Sequence, residues 1–125
     1  MTPKQRFITA LTLGVPDRVP TFELEFQLTE EFMGKKHLHE EDLEGLPERE
    51  VQRRLKENAA FLIELYEKLE HDAICLHYLS TEHIARTIEY IHELSGDRFM
   101  ILVHGDGTLA IPDGNGLYEL SYALF

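Results

Sequence analysis

Apolar residues recur along this chain in two rhythms, one helical and one strand-like. Phe7, Ile8, Leu11 and Leu13 make an apolar helical face at the amino terminus. Thr2 stands at the N-cap, Pro3 sits where a missing N–H costs nothing, and Gln5 completes a T-x-x-Q capping box. Gly14 suits the left-handed position after the helix, and Pro16 prevents the helix from resuming. From Pro20 to Phe26 the rhythm changes to period two. Phe22, Leu24 and Phe26 share one face, and Glu23, Glu25 and Gln27 the other, which predicts a strand. Thr29 then caps a short helix, Glu30 to Met33, closed by Gly34. Lys35 to Leu46 shows little periodicity and is expected to be a mobile polar connection.

Pro47 opens the longest predicted helix. Val51, Leu55, Leu62, Leu65 and Leu69 form its seam, widened by Ala59, Phe61 and Tyr66. The run Asp72 to Leu76 is short and nearly all apolar, as expected of a strand buried on both faces. Ser80 caps a further helix carrying Ile84, Ile88, Ile91 and Leu94, with Gly96 as its stop. Phe99 to Val103 repeats the continuous apolar signature. A glycine-rich loop, HGDGTLAIPDGNG, follows, and LYELSYALF reads as the start of another helix.

This alternation predicts an α/β fold with three parallel strands and helical crossovers. The fold class expected is the amino-terminal portion of a (β/α)8 TIM barrel with a preceding helix. Residues 1–19 would form the N-terminal helix and lead-in, and residues 20–125 the first βα units. A complete barrel takes about 250 residues, so the chain is expected to be part of one and to associate with itself or with the missing half through open strand edges. A self-sufficient small α/β domain is the alternative.

Charge and cysteine content narrow the partners. The formal net charge of −11 disfavours nucleic acid and anionic membranes, although much of it lies in HEEDLEGLPERE. No apolar run has the length of a membrane span, and no signal peptide is visible. Cys75 is the single cysteine, so an intramolecular disulfide is excluded and a reducing, cytoplasmic setting is expected.

In parallel α/β architectures ligands bind beyond the carboxyl ends of the strands. The polar residues predicted there are Gln27 after the first strand, His77 and Tyr78 after the second, and His104 and Asp106 after the third. His104 and Asp106 are two apart, and a carboxylate at that spacing can orient an imidazole for acid–base work. The plainer reading of Asp106 is the start of a Gly-Asp-Gly turn, its carboxylate on nearby backbone N–H groups, which does not exclude a ligand role. Glu23 and Glu25 face solvent on an edge strand but face inward in a closed barrel, where they would need cations, hydrogen bonds or raised pKa values. The candidate set is therefore His104 and Asp106 for catalysis and Glu23, Glu25, His77 and Tyr78 for substrate binding. Cys75 and His77 share a strand face without completing a metal tetrahedron, so no metal is assigned and Cys75 reads as a small buried residue. His37 and His39 read as solvated; His71, His83 and His92 have no common focus. The glycine-rich loop lacks phosphate-cradle spacing.

The segments TPKQRF…VPDRVP, HDAICL and GDRFMILVHGDGTLAIPDG, in this order and spacing, resemble the uroporphyrinogen decarboxylase superfamily. The resemblance covers most of the chain and implies a (β/α)8 barrel with its site in the mouth. It implies either decarboxylation of porphyrinogen acetate groups or methyl transfer involving a corrinoid or a thiol acceptor. True decarboxylases carry an R-Q-A-G-R motif after the first strand and a catalytic aspartate in an F-S-D-type sequence after the second. Here those stretches read EFQLTEEFMGKKH and LHYLST, without arginine and without an acid after the second strand. The resemblance thus points to the methyltransferase-like branch. That branch implies a small-molecule substrate or a corrinoid protein as partner. Zinc held by His-x-Cys and a distant Cys belongs to the carboxyl-terminal half in that branch, so no cofactor is assigned to these residues. The competing function is a non-catalytic module that dimerises through the open side of its sheet.

Overall fold

In the computed structural model, which describes residues 1–105 together with 116, 118, 121 and 122, the four residues of the strand Ala73–Leu76 (β1) are all buried. A polar-free run of this kind has no solvent face to offer, and packing covers it on both faces. It pairs in parallel with Met100–Val103 (β2), in the register Ala73 to Met100 through Leu76 to Val103. Before them come the helices Pro3–Leu11 (α1), Thr29–Met33 (α2) and Glu48–Lys68 (α3), with a 3-10 turn at Glu40–Leu43; the helix Thr81–Ser95 (α4) links the two strands. The molecule is thus mixed α/β with a parallel pair.

The core lies between α3, α4 and the sheet. Leu55, Ala59, Leu65 and Tyr66 are fully buried from α3 and meet Ile74, Leu76, Tyr90, Ile91 and Phe99. Burial of each large aliphatic or aromatic side chain here contributes about 1.5–3 kcal/mol. Ile84 and Ile88 of α4 pack against this cluster, whereas Leu94, on the same predicted stripe, stays exposed. The opposite side of α3 is laced by Arg53 with Glu50 and Glu57, and by Lys68 with Glu64.

The helix ends follow local chemistry, with one reassignment. Thr2 accepts from the Gln5 N–H while the Gln5 side chain accepts from the Thr2 N–H, so the capping box forms. At the other end of α1, Leu13 and not Gly14 takes the left-handed backbone, with φ of 59°. Leu13 N–H reaches Ala10 and Gly14 N–H reaches Thr9 at 2.8 Å, which is a Schellman closure. Gly14 is needed for closeness instead: a Cβ there would lie 2.9 Å from the Thr9 methyl and 3.1 Å from its carbonyl. The same closure recurs after α3, where Glu70 has φ of 55° and His71 N–H bonds Tyr66. Gly96 ends α4 at φ 63° and ψ −151°, a region open essentially to glycine alone. Thr29 is the first residue of α2 and not its cap; Leu28 precedes it, and the Thr29 hydroxyl donates to the Phe26 carbonyl at 2.9 Å.

Among the described residues the sheet has two strands, not the three expected. Pro20–Phe26 forms no ladder beyond Thr21, which accepts the Asp72 N–H at 2.8 Å. The Thr21 N–H goes to the Asp72 carboxylate at 2.9 Å, so a side chain takes the place a neighbouring carbonyl would occupy. Alternation specifies two faces, but a strand also needs a neighbour along its length. Phe22 and Leu24 consequently remain 44% and 55% exposed, with the Phe22 ring edge-on to Phe7 at 5.4 Å.

Asp72 is also where the amino-terminal segment is anchored. Its carboxylate is fully buried and accepts from Arg6 Nη1 and from Arg18 Nη1 at 2.9 Å and Nη2 at 3.0 Å. Arg6, itself buried, is held on its other side by Asp17. Those bonds keep the Asp17 carboxyl well below the usual range, the Arg6 guanidinium being the main cause. The spaced Arg6, Asp17 and Arg18 of the opening motif therefore form an ion network at the amino end of β1.

Candidate functional site

Beyond the carboxyl ends of the strands, His104 N–H donates to the Leu76 carbonyl at 3.0 Å. This carries the parallel pairing one residue past Val103 and brings the His104 and His77 rings to 6.4 Å, centroid to centroid. The chain then turns sharply at Tyr78, whose φ of 69° is uncommon for a bulky side chain. The Tyr78 ring lies edge-on to His77 at 3.9 Å and stacks on His39 at 4.2 Å, with 14° between planes. Its hydroxyl donates to Glu25. His37 sits 5.3 Å from the His77 ring and 5.5 Å from that of Tyr78.

The connection that supplies His37 and His39 was expected to be mobile and solvated. Glu40 pins it instead. Glu40 N–H donates to the Tyr78 carbonyl, and its carboxylate accepts from Ser80 N–H at 2.7 Å and bonds His83 Nδ1 at 2.8 Å. Leu43 buries itself in the core below. The acidic run therefore uses one carboxylate to hold the start of α4, assisting the Ser80 cap, which accepts from His83 N–H.

Hydrogen bonding assigns the His37 tautomer. Thr29 already gives its hydroxyl proton to Phe26, so His37 Nε2 donates to the Thr29 oxygen at 2.8 Å, with the Phe26 carbonyl at 3.3 Å. His77 has the opposite condition: both ring nitrogens are buried without a hydrogen-bond partner among the described residues. Burial, reinforced by neighbouring His37, pushes the His77 imidazole down to about 4, despite the opposing pull of Glu25. Burial also lowers His37. Glu25 is lowered chiefly by the Tyr78 hydroxyl, and the phenol rises to about 12 through burial and then through Glu25. At neutral pH the site holds neutral His37 and His77 rings, a protonated phenol and an ionised carboxylate. It can accept hydrogen bonds and protons, and it favours cations or neutral donors over anions.

Of the predicted site residues, Glu25, His77, Tyr78 and His104 come together. Glu23 does not join them: it is exposed and has no hydrogen-bond or ion-pair partner among the described residues. Asp106, the glycine-rich loop from 106 onward and most of the last predicted helix lie outside the described residues, leaving His104 as the described half of that pair. His37 and His39 are the additions. Their signal was the H-x-H spacing, masked by an acidic context that reads as solvated surface. Cys75 is fully buried, with burial pushing its thiol up, as expected of a core residue.

A shallow cleft of about 310 Å³ opens beside the cluster, edged by Glu25, Gln27, His37, His39 and Tyr78 and by Lys36 with the α2 carboxylates. No group of three or more His, Cys, Asp or Glu residues could hold a metal ion among the described residues. No helix among them is long and apolar enough to cross a membrane. Compared with protein-family models, curated proteins and solved structures, the chain matches none of them.

Proposed function

We propose that these residues form the first βα units of a uroporphyrinogen-decarboxylase-like barrel of the methyltransferase-like branch. In this reading Glu25, His77, Tyr78 and His104 line the mouth and contact a small substrate, with His37 and His39 backing them. One observation carries it: the polar side chains of three separate loops converge beyond the carboxyl ends of a parallel strand pair joined by a helix, where such folds bind ligands. Methyl transfer is preferred over decarboxylation on electrostatic grounds. The mouth carries an ionised Glu25, while Arg6 and Arg18 are both committed to Asp72 at the far end of β1. A polycarboxylate porphyrinogen would be repelled there.

Zinc does not fit these residues. No ligand set is assembled among the described residues, and Cys75 is buried with its thiol raised. A corrinoid in this reading arrives on a separate carrier protein, so no residue here is assigned to it. The test is to express the reading frame containing these residues and follow methyl transfer from a methylated corrinoid to a thiol. Transfer that Glu25→Gln reduces at least tenfold supports the reading. Release of carbon dioxide from uroporphyrinogen, or transfer insensitive to Glu25 and His77, refutes it.

A second reading has its own observation. Among the described residues β2 pairs only with β1, and Val103, Phe22 and Leu24 are exposed beside the sheet. Open edges and apolar surface suit a module that dimerises. A discrete dimer of the 125-residue chain in sedimentation supports it, and a monomer at tens of micromolar removes it.

A further inference from the structure

Among the described residues, His77 alone has two ring nitrogens that are both buried without a hydrogen-bond partner. Its ring is neutral at neutral pH, so it carries one N–H donor and one bare acceptor. Buried groups of either kind ordinarily find a partner, in the protein or in ordered water. The surrounding rings supply none. Those of His37, Tyr78 and His104 stand at 5.3, 3.9 and 6.4 Å between centroids, tilted or edge-on. Glu25 is engaged by the Tyr78 hydroxyl.

A cavity of about 10 Å³ adjoins this ring. Leu76 and His77 at the end of β1, Asn58 and Leu62 of α3, and His37 and Leu38 of the connection border it. One water molecule needs roughly 10–15 Å³ and two to four polar partners, so the cavity has room for one water and nothing larger. Polar groups stand on each of its three walls. The Asn58 amide can donate and accept. His37 gives its Nε2 proton to Thr29, which leaves Nδ1 as an acceptor. His37, Leu38 and Asn58 also line an open cleft of about 460 Å³. The cavity therefore lies between that cleft and His77.

We propose that this cavity binds one ordered water, hydrogen-bonded to a ring nitrogen of His77 and to the Asn58 amide, and that this water passes protons between His77 and the solvent of the adjoining cleft. In the transfer an O–H bond of the water breaks as its proton joins the bare His77 nitrogen, and the water regains a proton from solvent in the cleft. The relay rests on the reading of His77 as a strand-end site residue; the water site itself does not. The second ring nitrogen is left for a ligand at the strand ends. A ligand there would close the mouth to solvent, and entry from the α3 side lets His77 exchange its proton with the ligand in place. Asn58 is then a positioning residue, which accounts for a polar side chain between Leu55 and Leu62 on the buried stripe of α3.

The test uses the full 125-residue chain, labelled with ¹³C and ¹⁵N, with no ligand added. A water held in the cavity should give cross-peaks to the methyl groups of Leu62 and Leu76, of opposite sign in NOESY and ROESY spectra. Asn58→Leu removes the polar partner at similar volume. It should abolish these cross-peaks and slow solvent exchange of the His77 ring N–H by about tenfold or more, with the circular dichroism spectrum unchanged. Asn58→Ser, smaller and still polar, should keep the cross-peaks and most of the exchange. The unsubstituted chain decides the water site even where Asn58→Leu does not fold, and Asn58→Ser then checks the relay. Absence of the cross-peaks from the unsubstituted chain overturns the water site. His77 exchange that Asn58→Leu leaves unchanged, or that Asn58→Ser abolishes, overturns the relay. Neither result bears on methyl transfer, whose failure would leave the cross-peaks in place.

Discussion

Replacing Asp72 by asparagine tests how the amino-terminal segment is held to the sheet. The carboxylate is fully buried and receives four donors: Arg6 Nη1, Arg18 Nη1 and Nη2, and Thr21 N–H. Asparagine preserves the shape but removes the charge, and it turns an NH₂ group toward guanidinium donors. Removing one member of a buried ion pair costs about 3–5 kcal/mol. The lower end applies here, because Arg18 is 45% exposed and can rehydrate, while Arg6 keeps both oxygens of Asp17. A loss of about 3 kcal/mol is a large share of the roughly 5–15 kcal/mol stability typical of a domain. With a urea slope of about 2 kcal/mol/M, the midpoint should fall by about 1.5 M. Urea melts followed by far-ultraviolet circular dichroism at pH 7 read this directly. Hydrogen exchange should also show α1 and Thr21 losing protection before α3 and α4. A variant within about 0.5 kcal/mol of the parent, the range of ordinary surface substitutions, would refute the argument and reduce the network to a surface feature.

Three further outcomes follow from the same geometry. His77 is held neutral with a folded pKa of about 4 against an ordinary value near 6.5, so the unfolded chain binds more protons between those values; stability should fall as pH drops from about 6.5 toward 4. Thermal melts at pH 7 and pH 5 measure the fall, and His77→Phe should flatten it. Tyr78→Phe removes the donor that chiefly lowers Glu25, so the Glu25 carboxyl, followed by carbon-detected NMR, should titrate closer to the ordinary range; an unchanged midpoint would show that the phenol is not its partner. Gly96→Ala meets no atom within 4 Å, so any loss is backbone strain at φ 63° and should amount to about 1–3 kcal/mol in chemical denaturation, whereas a neutral result would place Gly96 outside that conformation.

The helices were legible from sequence because their signals are local. Thr2 and Gln5, Ser80, and the apolar stripe of α3 act within one or two turns of themselves. Parallel strands with no polar face were legible for a related reason: a four-residue apolar run has few other places to go. Local reading failed where two residues were equally suitable on paper. Gly14 looked made for the left-handed position, but the Schellman closure fell one residue earlier on Leu13, and Gly14 serves the close approach to Thr9. Pro20–Phe26 alternated correctly and still formed no strand, because Asp72 offers Thr21 a carboxylate where a ladder would need successive backbone groups.

The candidate site divides in the same way. His77, Tyr78 and His104 could be read directly, since each follows an apolar strand run and strand ends face one side of such a sheet. Glu25 was readable only as one of two alternatives, and the structure separates it from Glu23 through a hydrogen bond spanning 53 residues. His37 and His39 were not readable as site residues. Their environment is set by Glu40 reaching Ser80 and His83 about forty residues away, and nothing in HLHEED announces that reach. Arg6 and Asp72 are 66 residues apart, so no window of sequence shows that one neutralises the other. By itself, then, the sequence determined that Thr2 and Ser80 cap helices, that α3 carries an apolar face, that Ala73–Leu76 is buried, and that the strand ends are where to search for chemistry. The tertiary structure alone decided which charges meet, which imidazoles lose water and how many strands find a neighbour. The physical reason is range: capping and periodicity act over a few residues, whereas desolvation and ion pairing depend on whichever distant segments the packing brings within a few ångströms.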